Sequence, residues 1–433
     1  MTREPGIRDS FEPEMTTGTG DAGDIPANSL DDPEEIIARV FDPQQRGALY
    51  PLYHRLREVA PVHRTEHPAM RGVWFVTRFQ DALDLYKNVS AVSDPATAEH
   101  FNHGGIGGPF YLMLKEMMLF LESDLHARVR RLVVTAFTPK SIARVAPITL
   151  EYADRVLDGI ANHHQMDVVE EFAYQLPLKV IAYLLGVPKS DFPIIERYAS
   201  DFARGSEPSP VVTERTRRAD EAALGFRDYF EHLIARRRDD LGDDVLSALI
   251  AAEDEGERLT HDQVVATSVL LLQAGHETTT DSIGNALVAL FRNRDQLDLF
   301  RRDPEITLNA VEELFRYDST NQINNRLLLE DVVLSEVRIP AGDQVAIVIG
   351  AANRDPAQFP RPDELQLART TPQHVAFAFG AYYCIGNALA RTEVRLALRR
   401  LVDRFPELRP AGDTFEWRTT LRNRGPAELR VAW

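Results

Sequence analysis

A single cysteine, Cys384, excludes an intramolecular disulfide and a cysteine-rich metal site in this 433-residue sequence. A lone thiol suits a reducing compartment. The stretch from Met1 to about Asn28 is polar and acidic, without the apolar segment that a secretory signal needs. Long hydrophobic runs are also lacking. The longest, Val264 to Leu272, is interrupted by Thr267 and Ser268 and is too short to span a bilayer. Positive charge is scarce: 49 Lys and Arg against 66 Asp and Glu leave a net charge of −17, which argues against nucleic-acid binding. A soluble, cytoplasmic protein is expected, with no nucleic-acid or membrane partner.

What is present is mostly helical periodicity. Residues 1–30 are low in apolar residues and are expected to be a disordered extension. Residues 31–433 are expected to form one mainly α domain with small β-sheets, because no long linker or internal repeat divides them. Pro61–Glu66 and Gly72–Arg78 predict a hairpin. Asp331–Ile339 and Val345–Ile349 predict strands around the turn "PAGD". Glu214–Arg238 and Asp262–Asn293 are long amphipathic stretches, and Glu207–Val212 (EPSPVV) is an interior loop.

Four stretches carry candidate chemistry, and each has an ordinary explanation beside it. In "FAFGAYYCIG", Gly380 and Gly386 bracket Cys384 just before a helical run. Unpaired N–H groups and the helix dipole there favour thiolate, although a free cysteine is often simply packed. In "LLQAGHETTTDS", Gly275, Glu277 and three threonines interrupt an apolar helix. That pattern suits proton delivery by a carboxylate beside a hydroxyl, or a helix-packing notch. Glu313 and Arg316 in "AVEELFRY" stand i, i+3, the spacing of an ordinary exposed ion pair. His126 and Arg130 in "DLHARVRRLV" share a face that could hold an anion or simply be solvated.

Together and in this order, the stretches resemble the cytochrome P450 family from about Asp31 to Trp433. The order is HxxxR, AGxET, ExxR, "ANRDP" at Ala352–Pro356, then FxxGxxxCxG through Phe377, Gly380, Cys384 and Gly386. The resemblance implies a helix-rich triangular fold with haem b between the long central helix and the cysteine-bearing helix. Cys384 would be the axial thiolate, a ligation that favours O–O cleavage. His126, Arg130, Arg326 and His374 match positions that hold haem propionates, and the glycines would admit the porphyrin. Ala274, Gly275, Glu277 and Thr278 match an oxygen-binding groove. There Thr278 would donate a hydrogen bond to O2 and Glu277 would relay protons. Glu313 and Arg316 match a buried ion pair that maintains the haem-binding core.

The sequence departs from the family pattern at three places. Tyr382 stands where a cationic propionate donor is usual, and Ala378 where glycine is common. Glu364 replaces an arginine expected to complete a triad with Glu313 and Arg316, leaving Arg361 or Arg369 to substitute. The resemblance implies a monooxygenase acting on a small organic molecule. Its electrons would come from a separate ferredoxin or flavodoxin and an NAD(P)H-dependent reductase. Peroxide-driven, isomerase or non-catalytic haem-binding roles are the rivals, and the Glu277–Thr278 pair argues against the first two. Asn321, Gln322 and Asn324, after the ExxR helix, are candidate substrate contacts. Tyr111–Phe120 and the Glu207–Thr213 loop are expected to line the pocket. Arg128, Arg131, Arg395 and Arg399 are candidates for docking an acidic electron donor, with Asp124 and Glu393 as compensating acids.

Overall fold

A capping box starts the longest helix, His261–Arg292: the Thr260 side chain accepts from Gln263 N–H, and the Gln263 side chain accepts from Thr260 N–H. Its apolar residues recur on every face, so it is buried along almost its whole length. Each fully buried Leu, Ile or Val contributes about 1.5–3 kcal/mol. Burial on all sides therefore makes this helix the axis on which the others pack. It contacts the helices Gln175–Leu184, Thr307–Tyr317 and Asn387–Arg404. The computed structural model describes residues 30–94, 107–205, 214–253, 259–370, 373–412 and 414–433. The expected N-terminal extension up to residue 29 and the Glu207–Thr213 loop lie outside these residues.

The main sheet has five strands. Val62–Arg64 pairs antiparallel with Trp74–Val76, as the hairpin pattern predicts. Trp74–Val76 runs parallel to Gln344–Val348, with Phe75 opposite Ala346. Ile323–Leu328 then pairs antiparallel with Gln344–Val348, placing Arg326 opposite Val345, and Ala91–Val92 closes the far edge. Ile323–Leu328 is a strand that the polar sequence concealed. Asparagine is a poor strand former, and backbone pairing to an apolar neighbour overrides it.

The predicted strand Asp331–Ile339 is instead a hairpin, Val332–Leu334 with Val337–Ile339. Ser335 and Glu336 both take positive φ at its turn, the conformation that matches the twist of two tightly joined strands. Among the described residues no helix is long and apolar enough to cross a membrane.

Candidate active site

Cys384 sits in a closed loop rather than at the helix cap itself. Its N–H donates to the Phe377 carbonyl at 2.9 Å, and its own carbonyl accepts from Asn387 Nδ2 at 2.7 Å. The helix Asn387–Arg404 begins three residues further on, with Gly386 as its cap. Burial pushes the thiol up; the Gly386 amide and the guanidinium groups of Arg130 and Arg391 offset this only in part. The expectation that the helix terminus alone favours thiolate is therefore corrected: desolvation outweighs it, and a coordinating metal ion is what deprotonates such a thiol.

The glycines around Cys384 divide in role. Gly380 has φ +64, and a Cβ there would collide with the Tyr86 carbonyl oxygen, so its smallness serves a backbone crossing rather than room for a ring. A Cβ on Gly386 would meet only the Cys384 sulfur, at 4.0 Å, which leaves that side open. Ala378 holds φ +57 where glycine is common. The left-handed conformation costs a non-glycine residue about 1–2 kcal/mol. Its buried methyl returns about 0.8 kcal/mol and its smaller chain entropy about 0.5–1 kcal/mol, so alanine is tolerated.

Glu313 and Arg316 form a bidentate pair at 2.7 and 2.8 Å, and neither side chain is exposed at all. The third member is Arg369, whose Nε donates to Glu313 Oε1 at 3.1 Å. Arg361 is excluded, because it forms an exposed pair with Glu364. Beside the triad lies a residue that sequence reasoning missed. Glu312, adjacent to Glu313 in the same helix, binds both His374 and Arg391. Burial raises its pKa, but the bonds from His374 and Arg391 outweigh this and hold the carboxyl down to about 2. The only signal was a second acid in "VEEL". His374 accordingly has both ring nitrogens engaged, Nε2 with Glu312 and Nδ1 accepting from Ala376 N–H. Phe377 packs edge-on against Phe315 at 4.8 Å, under the Arg391 guanidinium.

Across from these, Arg130 donates to the Tyr383 carbonyl. His126 and Arg326 are 3% and 5% exposed, yet His126 Nε2 and Arg326 Nε are buried without a hydrogen-bond partner. Two orphaned donors of that kind are costly unless an acceptor arrives. Burial, reinforced by Arg130 and Arg326, holds the imidazole down to about 4, so it is neutral near pH 7.

In the long helix, Ala274 is exposed between half-buried Gln273 and Gly275, and Thr278 lies one turn further on. Thr278 Oγ1 donates to the Ala274 carbonyl at 2.7 Å, so its remaining capacity is as an acceptor. A donor role toward O2 requires that proton to turn away from Ala274. Gly275 is a packing notch, because a Cβ there would come within 3.0 Å of Ile181. Glu277 is half-buried, with Arg418 Nη1 at 4.0 Å. Arg418 also reaches Asp281, one turn along, at 3.4 Å. Asp281 is fully buried and burial pushes its carboxyl up to about 6 against the pull of Arg418.

Of the candidate substrate contacts, Gln322 is fully buried and donates to the Ser319 carbonyl at 2.5 Å, with its Oε1 against Gly350. It is a backbone-satisfying residue, and substrate contact is withdrawn for it. Asn324 Nδ2 reaches Tyr86 Oη at 3.3 Å, and Asn321 Oδ1 is buried without a partner. Within Tyr111–Phe120, Met113, Met117 and Met118 are core residues of the largest apolar cluster. Glu393 is buried as well, its carboxyl pushed well above the usual range by burial, so it does not compensate a basic surface.

A family model described as Cytochrome P450 matches residues 207–414. Cytochrome P450 107B1 of Saccharopolyspora erythraea is 35% identical over 387 residues, 88% of this chain and 93% of that protein. The 6-deoxyerythronolide B hydroxylase of the same organism is 34% identical over 394 residues, 88% and 95% of the two chains. Among solved structures, CalO2 superposes with a TM-score of 0.84 at 34% identity, covering 91% of this chain and 98% of that one. P450BioI, solved in complex with a hexadec-9Z-enoic acid ligated acyl carrier protein, gives 0.83 at 30% identity, covering 90% and 99%.

Proposed function

The chain belongs to the cytochrome P450 family as a P450 monooxygenase, and from that premise we propose that it binds haem b through Cys384 and oxidises a small secondary metabolite. The observation that carries the cofactor reading is the chain's one thiol, with the Gly386 amide bonded to it and the positive charges of Arg130 and Arg391 near enough to favour its ionised form. The orphaned nitrogens of His126 and Arg326, with Arg130 nearby, fit the carboxylates of haem. Haem b supplies, when bound, a redox-active iron that activates O2 with two electrons.

The chain's own residues supply the rest. Glu312 holds His374 and Arg391 in place behind the cysteine loop, and the Glu313 triad secures the adjoining helix. Thr278 Oγ1, its proton committed to Ala274, presents lone pairs that accept from a water or another O–H in the groove. Glu277 stands next to it as the carboxylate that holds and passes a proton. Asn321 and Asn324 offer polar contacts, which suits a functionalised substrate such as a hydroxylated polyketide. The relative named as a polyketide biosynthesis cytochrome P450, PksS, supports that class.

Thr278→Ala is expected to keep haem and substrate binding while product formed per NAD(P)H falls several-fold and peroxide rises. Reconstitution with a surrogate ferredoxin and its reductase measures this. Unchanged coupling would count against the relay.

The separate electron donor has a matching surface. Arg399 is excluded from it, because it is bound to Asp403 and to the Phe300 carbonyl. Arg131 is exposed and Arg128 and Arg395 are half-buried. Charge-steered association weakens as the Debye length falls from about 30 Å at 0.01 M to about 8 Å at 0.15 M salt. Reversing Arg131 and Arg395 to Glu is expected to raise the KM for an acidic ferredoxin several-fold and to flatten the salt dependence, with substrate binding intact. Stopped-flow reduction indifferent to both salt and these substitutions would place docking elsewhere.

A further inference from the structure

We propose that Tyr382 is a positioning residue, the middle layer of a His126–Tyr382–Arg326 column that orders two donors toward the haem carboxylates, rather than a weak carboxylate donor itself. The proposal rests on the haem reading above. The imidazole of His126 stacks on the Tyr382 ring with centroids 4.4 Å apart and planes inclined by 25°. The guanidinium of Arg326 lies over the same ring at 4.5 Å and over Tyr86 at 5.5 Å.

One aromatic ring thus contacts both His126 and Arg326, each of which has an orphaned buried nitrogen. A phenol suits this place better than a cation. Its electron-rich face attracts the guanidinium, whereas a cation in its place would repel Arg130 and Arg326 and would remove the ring on which His126 and Arg326 pack. The ring is itself fixed. Tyr382 Oη accepts from the Ser93 N–H at 3.0 Å, and Ser93 Oγ donates to the Leu119 carbonyl at 2.7 Å. That tie runs to the sheet edge beside Ala91–Val92. Tyrosine in place of the usual cation therefore secures the carboxylates by another route, orienting two donors instead of adding a third.

The consequence opposes what charge alone suggests. On a hydrogen-bond count, Tyr382→Arg would hold the cofactor more firmly; with Tyr382 as the middle layer, it loosens the cofactor. The experiment follows transfer of haem from holoenzyme to apomyoglobin for the wild type and for Tyr382→Phe, Tyr382→Leu and Tyr382→Arg. Thermal midpoints of the haem-free proteins serve as the folding control. Phe keeps the stacked ring and loses the Ser93 tie together with the phenol O–H donor, so with the ring faces as the main contribution transfer within about threefold of wild type is expected. Leu and Arg lose the ring faces, and transfer about thirtyfold faster is expected from the size of a desolvated cation–π contact. Rescue by Phe but not by Leu, at unchanged apoprotein midpoints, separates positioning from a merely structural role.

Should Leu fail to fold, the Phe and Arg variants still decide. Transfer slowed by Arg, or Phe as damaging as Arg, overturns the column. Wild-type protein that binds no haem overturns the haem reading instead, a separate outcome.

Discussion

Cys384→Ser is expected to abolish the strongly red-shifted Soret band of the reduced, carbon-monoxide-bound protein. Elimination and geometry both lead to this result. The chain holds no second cysteine, so no other thiolate can take over the iron. The loop that presents Cys384 is closed by its N–H bond to Phe377 and by Asn387 on its carbonyl, so serine would occupy the same place with a hard oxygen. A serine oxygen is hard and lacks the soft, polarisable sulfur through which a thiolate pushes electron density to iron. The folded structure around it should survive, because neither closing bond involves the sulfur. Absorbance difference spectra measure the outcome, and a variant that retains the thiolate band would overturn the ligand assignment outright.

Arg369→Ala is expected to destabilise the protein by about 3–5 kcal/mol, the range for removing one partner of a buried charge cluster. Glu313 is fully buried and Oε1 accepts from three sources: Arg316 at 2.8 Å, Arg369 at 3.1 Å and the Gln366 N–H at 3.0 Å. Arg369 also donates to the carbonyls of Pro360, Arg361 and Glu364, so it ties the 360–369 loop to the Thr307–Tyr317 helix. Its loss leaves a carboxylate under-compensated in low dielectric and a loop unbound. Arg361→Ala is the contrast, since an exposed pair such as Arg361–Glu364 contributes about 0–1 kcal/mol. Denaturant midpoints of the two variants measure the difference. Equal, small effects would mean that Arg369 is not part of the buried cluster.

The P450 fold, the order of the motifs and the proposed ligand were legible in the chain because each rests on local spacing. A cysteine bracketed by glycines before a helix, a Glu–Arg pair one turn apart and an acid–alcohol pair in an apolar helix are all set within ten residues. What failed to show was set at long range. The strand Ile323–Leu328 is polar by composition and is a strand only because Gln344–Val348 supplies its partner. Asp281 resembles a solvated acid until the C-terminal segment brings Arg418 to it.

By itself, then, the sequence singled out the residues proposed to carry the chemistry here: Cys384, Thr278, Glu277 and the Glu313–Arg316 pair. Only the tertiary structure decided what completes them. It chose Arg369 over Arg361 across more than fifty residues, turned Gly275 and Gly380 into packing positions, and set Tyr382 between an imidazole and a guanidinium from distant segments. The physical reason is that hydrogen-bond partners, stacking faces and desolvation depend on which segments meet in space, and periodicity along the chain reports only which face of an element is buried.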